Sequence, residues 1–186
     1  MLLSRTELAK LFASTFAIST FPNPPEKTAR YHEPPAGVSY QDDPTVFGRI
    51  LEGSLPCSEI SETKSTFTFR DRTPRAPLHA LVIPKRYIKS VRELDPTTDL
   101  ELLKEMKQVA LETLQAEYPM SYNTNDYILC FHVPPFTSVG HLHLHILAPA
   151  SEMNFLQRYG RYRSETTWCT SLDTVMGLLS EGKQYV

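Results

Sequence analysis

Three histidines, His141, His143 and His145, alternate with Leu142 and Leu144 in one five-residue stretch. Successive side chains of a β-strand point to opposite faces, so on a strand the three imidazoles would share one face and the leucines the other. Burying three unpaired imidazoles would cost free energy, whereas placing them along a cleft costs little. The spacing therefore predicts a functional site.

Two kinds of chemistry fit three imidazoles on one face. Alternate residues of a strand can offer two or three nitrogens to a zinc ion. Alternatively, one neutral imidazole acts as a nucleophile near pH 7, while its neighbours orient it and bind phosphate oxygens. The periodicity by itself does not decide between the two.

The surrounding sequence predicts the elements that hold this site. Apolar patterns indicate strands over residues 65–70, 80–83, 127–133 and 142–148, with a shorter one over 166–169. A long helix is expected to begin at Asp95 and Pro96, where aspartate suits the cap and proline the first turn, and to end at Tyr118 and Pro119. One face of this helix is apolar, through Leu103, Met106, Ala110 and Leu114. Shorter helices are expected over residues 46–52 and 172–179, and the element order predicts an α+β fold with an antiparallel sheet.

The composition excludes several classes of protein. A chain of 186 residues is long enough for one domain with a core, and its net charge of −2 gives no bulk attraction to nucleic acid or a membrane surface. No apolar run reaches the ~20 residues of a membrane-spanning helix. Cys57, Cys130 and Cys169 are widely spaced, which argues against a disulfide framework and a zinc–thiolate site. We therefore expect an intracellular protein, cytoplasmic or nuclear.

The chain divides into an N-terminal segment with a proline-rich arm, residues 1–44, and a domain, residues 45–186. Prolines in residues 21–44 discourage regular structure. Residues 1–22 fit an organelle-targeting peptide loosely. An amphipathic helix that packs on the domain or on a partner is slightly favoured over that interpretation.

Several motifs resemble those of the histidine triad family. Residues 141–147, His-Leu-His-Leu-His-Ile-Leu, are similar to the family signature, in which three histidines alternate with apolar residues. Residues 46–56 resemble the family's opening segment, and residues 69–85 resemble its middle block, which ends in His-x-Leu-Val-Ile-Pro-Lys. The similarity covers about residues 45–150. Within the family, residues 132–141 and 161–168 look most like the third subgroup of histidine triad nucleotide-binding proteins, which is itself similar to aprataxin.

The resemblance implies a histidine-triad-like fold that consists of an antiparallel sheet, one long helix and a short C-terminal helix. It also assigns roles to particular residues. His143 would be the nucleophile that forms a nucleotidyl-histidine, and His141 and His79 would fix its orientation. His145 and Ser138 would bind phosphate oxygens or the leaving group, and Asp71 would accept hydrogen bonds from the ribose. The remaining implied nucleotide contacts are an apolar clamp on the base and two flanking residues: Phe47, Ile50, Phe69, Arg72 and Thr137.

The implied activity is hydrolysis of adenosine 5′-phosphoramidates, such as AMP-lysine, to AMP and an amine, without a metal or other cofactor. The implied partners are a purine nucleotide and a second copy of the chain in a homodimer. Alternatives are hydrolysis of dinucleoside polyphosphates, aprataxin-like removal of AMP from DNA ends, and a nucleotide-sensing scaffold with weak turnover. The DNA alternative is disfavoured, because only 41 residues follow His145 (186 − 145), with one cysteine and no histidine for a zinc finger.

Three positions depart from the pattern of the best-known family members. Cys130 replaces an asparagine near the ribose, Phe136 replaces a glycine, and Thr137 replaces a glutamine near the phosphates. These changes predict a bulkier entrance and a different leaving group. His132 is an additional histidine near the site, for which a structural role in the loop of Pro134 and Pro135 is favoured over catalysis.

Overall fold

The computed structural model describes residues 29–186, which form one six-stranded sheet with helices on both faces. Every strand pairing is antiparallel, and the strand order is β1-β2-β3-β5-β4-β6. The strands are β1 (Glu59–Glu62), β2 (Thr66–Arg70), β3 (Leu78–Pro84), β4 (Ile128–His132), β5 (Leu144–Ala148) and β6 (Cys169–Ser171). The α-helices are α1 (Val46–Leu51), α2 (Leu100–Glu117), α3 (Pro119–Thr124) and α4 (Leu172–Ser180). The α+β class and the antiparallel sheet predicted from the sequence are confirmed.

One face of the sheet packs on α2 and α4 and carries the largest apolar core. The four positions that line one face of the predicted long helix are all fully buried there: Leu103, Met106, Ala110 and Leu114. They meet alternate residues of the two central strands, among them Ala80 and Ile146. Burial of this helix face explains why the sequence periodicity identified α2.

The opposite face of the sheet carries the histidines. His145 on β5 lies opposite Leu81 on β3 and Cys130 on β4. Leu81 belongs to an apolar cluster formed with α1, and Cys130 belongs to a cluster formed with Tyr162. His145 therefore lies between two apolar clusters that shield the histidine-bearing face from both sides.

Helix α1 is short and has a defined start and end. The Thr45 hydroxyl accepts a hydrogen bond from the backbone N–H of Phe47 at 3.1 Å, which caps the first turn. Gly53 follows the helix with φ of +75°, and a Cβ there would lie 2.1 Å from the backbone oxygen of His32. Glycine is required at this position by both the conformation and the close approach.

The long helix begins later than the sequence suggested. Asp95 does not cap α2; its carboxylate accepts from the backbone N–H of Thr97 at 2.8 Å and closes a separate turn. The helix starts at Leu100, preceded by the buried Asp99. It ends beside Tyr118 as expected, but Pro119 then begins a further short helix, since proline suits a first helical position.

Two strand boundaries also differ from the sequence prediction. Strand β5 begins at Leu144, so His145 lies in the regular strand whereas His141 and His143 precede it. The last strand runs from Cys169 to Ser171 and pairs with β4, while Thr166 makes an isolated bridge to Cys169. The leucine and histidine sides of the motif are nevertheless separated, as the alternation predicted.

Residues 29–44 run along the surface of the domain and are tied to it. Arg30 and Cys57 exchange backbone hydrogen bonds of 2.8 and 2.9 Å, and buried His32 contacts the backbone oxygen of Leu51 at 2.8 Å. The targeting-peptide and amphipathic-helix hypotheses concern residues 1–22, which lie outside the described residues. Across residues 29–186, no helix combines the length and apolar character needed to cross a bilayer.

Candidate active site

A cavity of about 650 Å³ opens on the histidine-bearing face of the sheet. The apolar part of its wall includes Phe47 and Ile50 from α1 and Phe69 from β2. The polar part, called the polar end below, includes His143 and His145, and the Phe47 and His143 rings meet with centroids 5.4 Å apart. The structure also places three further predicted site residues on the walls: Asp71, Arg72 and Ser138.

His143 has one ring nitrogen engaged and one directed toward the cavity. Its Nδ1 lies 2.6 Å from the backbone oxygen of His141, an acceptor, so Nδ1 carries the proton and donates it. The Nε2 atom therefore keeps its lone pair. Burial lowers the pKa of His143 below its ordinary value of 6.5, which favours the neutral ring. A neutral imidazole with a fixed tautomer is the form required of a nucleophile.

The tautomer of His145 follows from a chain of hydrogen bonds. The backbone N–H of Arg75 donates to Nδ1 of His79 at 3.2 Å, so the proton of His79 is on Nε2. That nitrogen lies 2.9 Å from Nδ1 of His145 and donates to it. His145 consequently carries its proton on Nε2, a buried atom with no hydrogen-bond partner among residues 29–186. This unpaired N–H, beside the lone pair of His143, is available to a substrate.

Burial and neighbouring charges keep this histidine cluster neutral. Burial lowers the pKa of His145 well below 6.5, and neighbouring His143, His79 and His132 lower it further. The pKa of His79 falls to about 4 through burial, although Asp71 opposes the shift. Burial, followed by the charge of Arg161, lowers the pKa of His132 to about 4. These imidazoles are therefore uncharged at pH 7.

His141 and His79 do not line the cavity. Nδ1 of His141 lies 2.6 Å from a carboxylate oxygen of Asp43, and its Nε2 lies 2.9 Å from the backbone oxygen of Pro84. Both nitrogens thus face acceptors. The sequence analysis did not single out Asp43, because it lies 98 positions before His141 in the chain.

Asp71 both closes a turn and lies on the wall of the cavity. Its Oδ1 accepts from the backbone N–H of Thr73 at 2.7 Å, which closes the loop after β2. Its Oδ2 lies 3.5 Å from Nε2 of His79 and belongs to the cavity wall. Nearby, the rings of Phe47 and Phe69 meet edge to face at 5.5 Å and form an apolar wall. A carboxylate next to an apolar wall fits a nucleoside, whose ribose is polar and whose base is flat and apolar.

The positions that depart from the family pattern lie off the cavity. Cys130 is fully buried, and its thiol is hydrogen-bonded to that of Cys169. Phe136 is exposed, and its ring packs on Trp168 with centroids 6.3 Å apart. Neither residue lines the cavity, and neither does Thr137. His132 also lies off the wall, where its Nε2 donates to the backbone oxygen of Arg161 at 3.3 Å.

Two residues that had no role in the sequence analysis line the polar end of the cavity. Tyr162 is buried, and its ring packs on His145 with centroids 5.3 Å apart. Burial raises the pKa of Tyr162 to about 12. The neighbouring Arg161 is exposed and lines the same end. The stretch 161–168 carried a family-like signal, but the sequence did not show that it folds back onto the histidines.

Two sets of described residues place possible metal ligands together: His132, His143 and His145, and Asp71, His79 and His145. Within each set the ligand atoms lie within 4.8 Å of one another. For a zinc ion to bind Nε2 of His145, the proton on that nitrogen would have to leave it.

The fold and site match proteins of known type. Residues 44–160 match the family model described as "Scavenger mRNA decapping enzyme C-term binding". A mouse relative named adenosine 5′-monophosphoramidase HINT3 is 34% identical over 137 residues, or 73% of this chain and 81% of the relative. An Arabidopsis thaliana relative, named bifunctional adenosine 5′-phosphosulfate phosphorylase/adenylylsulfatase HINT4, is 35% identical over 104 residues, or 55% of this chain and 68% of the relative.

A solved structure supports the same assignment. The HIT family hydrolase from Legionella pneumophila superposes with a TM-score of 0.52 and 31% identity, covering 66% of this chain and 97% of that one. The fold and the histidine cluster define a protein of the histidine triad class. The chain belongs to the histidine triad (HIT) family, and its relatives support a nucleotide hydrolase of that type.

Proposed function

We propose that the protein hydrolyses adenosine 5′-phosphoramidates to AMP and an amine through a covalent nucleotidyl group on His143. The observation that carries the proposal is the lone pair on Nε2 of His143, held by the 2.6 Å contact of Nδ1 with the His141 oxygen. The printed name of the mouse relative, adenosine 5′-monophosphoramidase, agrees with this activity.

In the first step, Nε2 of His143 attacks the α-phosphorus, so that an N–P bond forms and the P–N bond to the amine breaks. The leaving nitrogen takes up one proton from water to depart as a neutral amine, and the Nε2–H of His145 donates a hydrogen bond to it. Ser138, on the cavity wall, donates to a phosphate oxygen as negative charge develops. Hydrogen-bond donors aimed at developing charge stabilise the transition state.

In the second step, a water molecule attacks the same phosphorus and the bond to His143 breaks. The water releases one proton to the solvent as it attacks, which offsets the proton taken up in the first step. AMP leaves, and the lone pair of His143 is free again. Because His143 supplies the nucleophile and His145 and Ser138 donate hydrogen bonds, we propose that the reaction needs no metal ion.

The site residues divide the substrate between the two ends of the cavity. The base lies against the apolar wall of Phe47, Ile50 and Phe69, with Arg72 at its edge. The ribose hydroxyls donate to Oδ2 of Asp71, which is not used in the turn to Thr73. With the base and ribose bound in this way, the α-phosphate is proposed to lie next to His143.

The decisive experiment measures AMP release from an adenosine 5′-phosphoramidate by wild-type protein and by His143→Ala, each with and without EDTA. We expect release by the wild type that is unchanged by EDTA and lost in the variant, while AMP still binds to the variant by calorimetry. Mass spectrometry of quenched wild-type reactions should detect an adenylyl adduct. Release that survives His143→Ala would contradict the covalent mechanism, and inhibition by EDTA would contradict its metal independence.

A second candidate function is cleavage of adenosine 5′-phosphosulfate, in which sulfate is the leaving group. Two arginines at the polar end of the cavity, Arg75 and Arg161, have no carboxylate partner among residues 29–186 and favour an anionic leaving group. The Arabidopsis relative is named for activity on this compound. The same assay with adenosine 5′-phosphosulfate tests it, because AMP release faster than from phosphoramidates would make sulfate the preferred leaving group.

We also propose that the protein forms a homodimer, as the family resemblance implies. Light scattering of the full chain at micromolar concentration should give twice the mass of one chain. A single-chain mass under those conditions would contradict the dimer without affecting the proposed chemistry.

A further inference from the structure

Asp43 lies outside the histidine motif but is in direct contact with it. Its carboxylate is buried, and Oδ2 lies 2.6 Å from Nδ1 of His141. The other oxygen, Oδ1, accepts from the backbone N–H of Thr45 at 2.9 Å. Both carboxylate oxygens are thus occupied, one by the turn that leads into α1 and the other by His141.

The hydrogen bonds of His141 define its charge state. Oδ2 of Asp43 and the backbone oxygen of Pro84 are both acceptors, at 2.6 and 2.9 Å from the two ring nitrogens. Two acceptors require two N–H donors, which only the imidazolium form of histidine provides. An imidazolium at His141, paired with the Asp43 carboxylate, satisfies both contacts.

His141 connects this ion pair to the proposed nucleophile. Its backbone oxygen accepts from Nδ1 of His143 at 2.6 Å, and this contact sets the tautomer of His143. The His141 ring is held on both sides, by Asp43 and by Pro84, so the residue that carries this oxygen cannot rotate freely. The charge on His141 also opposes protonation of the neighbouring His143 ring.

The structure around Asp43 is adapted to this contact. A Cβ on Gly48 of α1 would lie 2.3 Å from the Asp43 backbone oxygen and 2.8 Å from its Cβ and Cγ. The helix therefore presses directly on Asp43, and glycine is the residue that permits the approach. The backbone N–H of Asp43 in turn donates to the oxygen of buried Tyr40 at 3.0 Å.

From this geometry we infer that Asp43 is a positioning residue: it holds His141 as an imidazolium, and His141 in turn fixes the tautomer and the neutral state of His143. The inference rests on the proposed function, in which His143 is the nucleophile. Asp43 touches neither substrate nor phosphate and acts through His141. Its effect is therefore on the rate of the chemical step and on its pH dependence.

The test compares Asp43→Asn with wild type in the full-length chain. The asparagine amide preserves the size of the side chain and its contact with His141 Nδ1, but it removes the charge that stabilises the imidazolium. We expect kcat for an adenosine 5′-phosphoramidate to fall on the order of tenfold, with KM little changed. The reason is that a misoriented His143 nucleophile slows the chemical step without weakening substrate binding. We also expect the acidic limb of the pH profile to move to higher pH, because His143 loses the neighbouring positive charge.

The groups that face His143 must be considered in reading this profile. Besides His141 they are His145 on β5, His132 on β4, His79 on β3 and Asp71 after β2, and all four are unchanged in the variant. A shift of the acidic limb in Asp43→Asn is therefore assigned to His141. Nitrogen-15 NMR of labelled histidine gives an independent readout, since it distinguishes a doubly protonated ring from a neutral one.

Thr45→Ala is the matched control. It removes the cap of α1, in which the Thr45 hydroxyl accepts from Phe47 N–H, and leaves the Asp43–His141 contact in place. A purely structural role of Asp43 would give both variants the same modest loss of stability and the same pH profile. We expect the profile to shift in Asp43→Asn alone, together with loss of the imidazolium signal of His141.

Each outcome bears on one proposal. A neutral His141 in the wild-type spectrum, or an Asp43→Asn profile identical to that of Thr45→Ala, would overturn the role of Asp43. Absence of phosphoramidate turnover in the wild type, with the His141 imidazolium present, would overturn the proposed function and leave the ion pair established.

Discussion

Acidification should destabilise this protein because four buried histidines are held in the neutral form: His79, His132, His143 and His145. The pKa of His132 is lowered from 6.5 to about 4, mainly by burial. An unfolded chain binds a proton at this residue below about pH 6.5, whereas the folded chain does so below about pH 4. The neutral ring thus stabilises the fold fully above pH 6.5, and this stabilisation is lost progressively as the pH falls from 6.5 to about 4.

The magnitude follows from the two pKa values. Between pH 7.5 and pH 5, a shift from 6.5 to about 4 reduces the free energy of unfolding by about 2 kcal/mol. The pKa of His79 is also lowered to about 4, mainly by burial, and acts in the same direction. The pKa values of His143 and His145 are lowered as well and act in the same direction. Such a loss is a large fraction of the stability of an ordinary domain, about 5–15 kcal/mol.

Urea unfolding followed by circular dichroism at pH 7.5, 6 and 5 measures this loss. The matched variant is His132→Gln, whose amide N–H can replace the Nε2–H that donates to the Arg161 oxygen at 3.3 Å but does not titrate. We expect the loss of stability between pH 7.5 and 5 to be about 2 kcal/mol smaller in this variant than in the wild type. A wild-type stability that stays constant over this pH range would refute the claim that the histidines are buried as neutral rings.

Three further predictions concern other parts of the molecule. Gly48→Ala places a methyl group 2.3 Å from the Asp43 backbone oxygen and should destabilise the fold by about 1–3 kcal/mol. Gly177→Ala is the control on α4: its added methyl group meets nothing within 4 Å and should stabilise the fold by up to about 1 kcal/mol. Equal effects of the two changes in urea unfolding would show that α1 does not press on Asp43. Arg161→Gln should lower kcat/KM about fivefold for a phosphoramidate of β-alanine but not for one of propylamine, since an exposed ion pair is worth up to about 1 kcal/mol. Arg158→Gln is its control, because that guanidinium lies over the Tyr159 ring and off the cavity; the same selective loss in both variants would remove Arg161 from leaving-group recognition. His145→Ala should slow release of poor, basic amines more than release of sulfate, because only the amine takes up a proton as it leaves. Equal slowing for both leaving groups in a rate comparison would argue against His145 as the hydrogen-bond donor to the leaving nitrogen.

The sequence predicted the two faces of the histidine motif, whose residues are close together in the chain. Alternation of His141, His143 and His145 with leucines indicated a histidine-bearing face and a buried face, and the structure has both. The alternation did not show where the regular strand begins, because β5 starts at Leu144. The start of α2 was misplaced for a similar reason: Asp95 suits a helix cap and a turn equally, and the hydrogen bond to Thr97 shows that it closes a turn.

The sequence by itself determined the class of fold, the histidine motif and the apolar periodicity of α2, because each depends on residues at short, regular spacings. Only the tertiary structure decided which nitrogen of each histidine carries a proton, since that depends on acceptors such as the oxygen of Pro84, 57 positions from His141. It also brought Asp43 and Tyr162, which are distant in the chain, to the histidine cluster. Hydrogen bonds between distant residues form only when the chain has folded, so no local pattern records them.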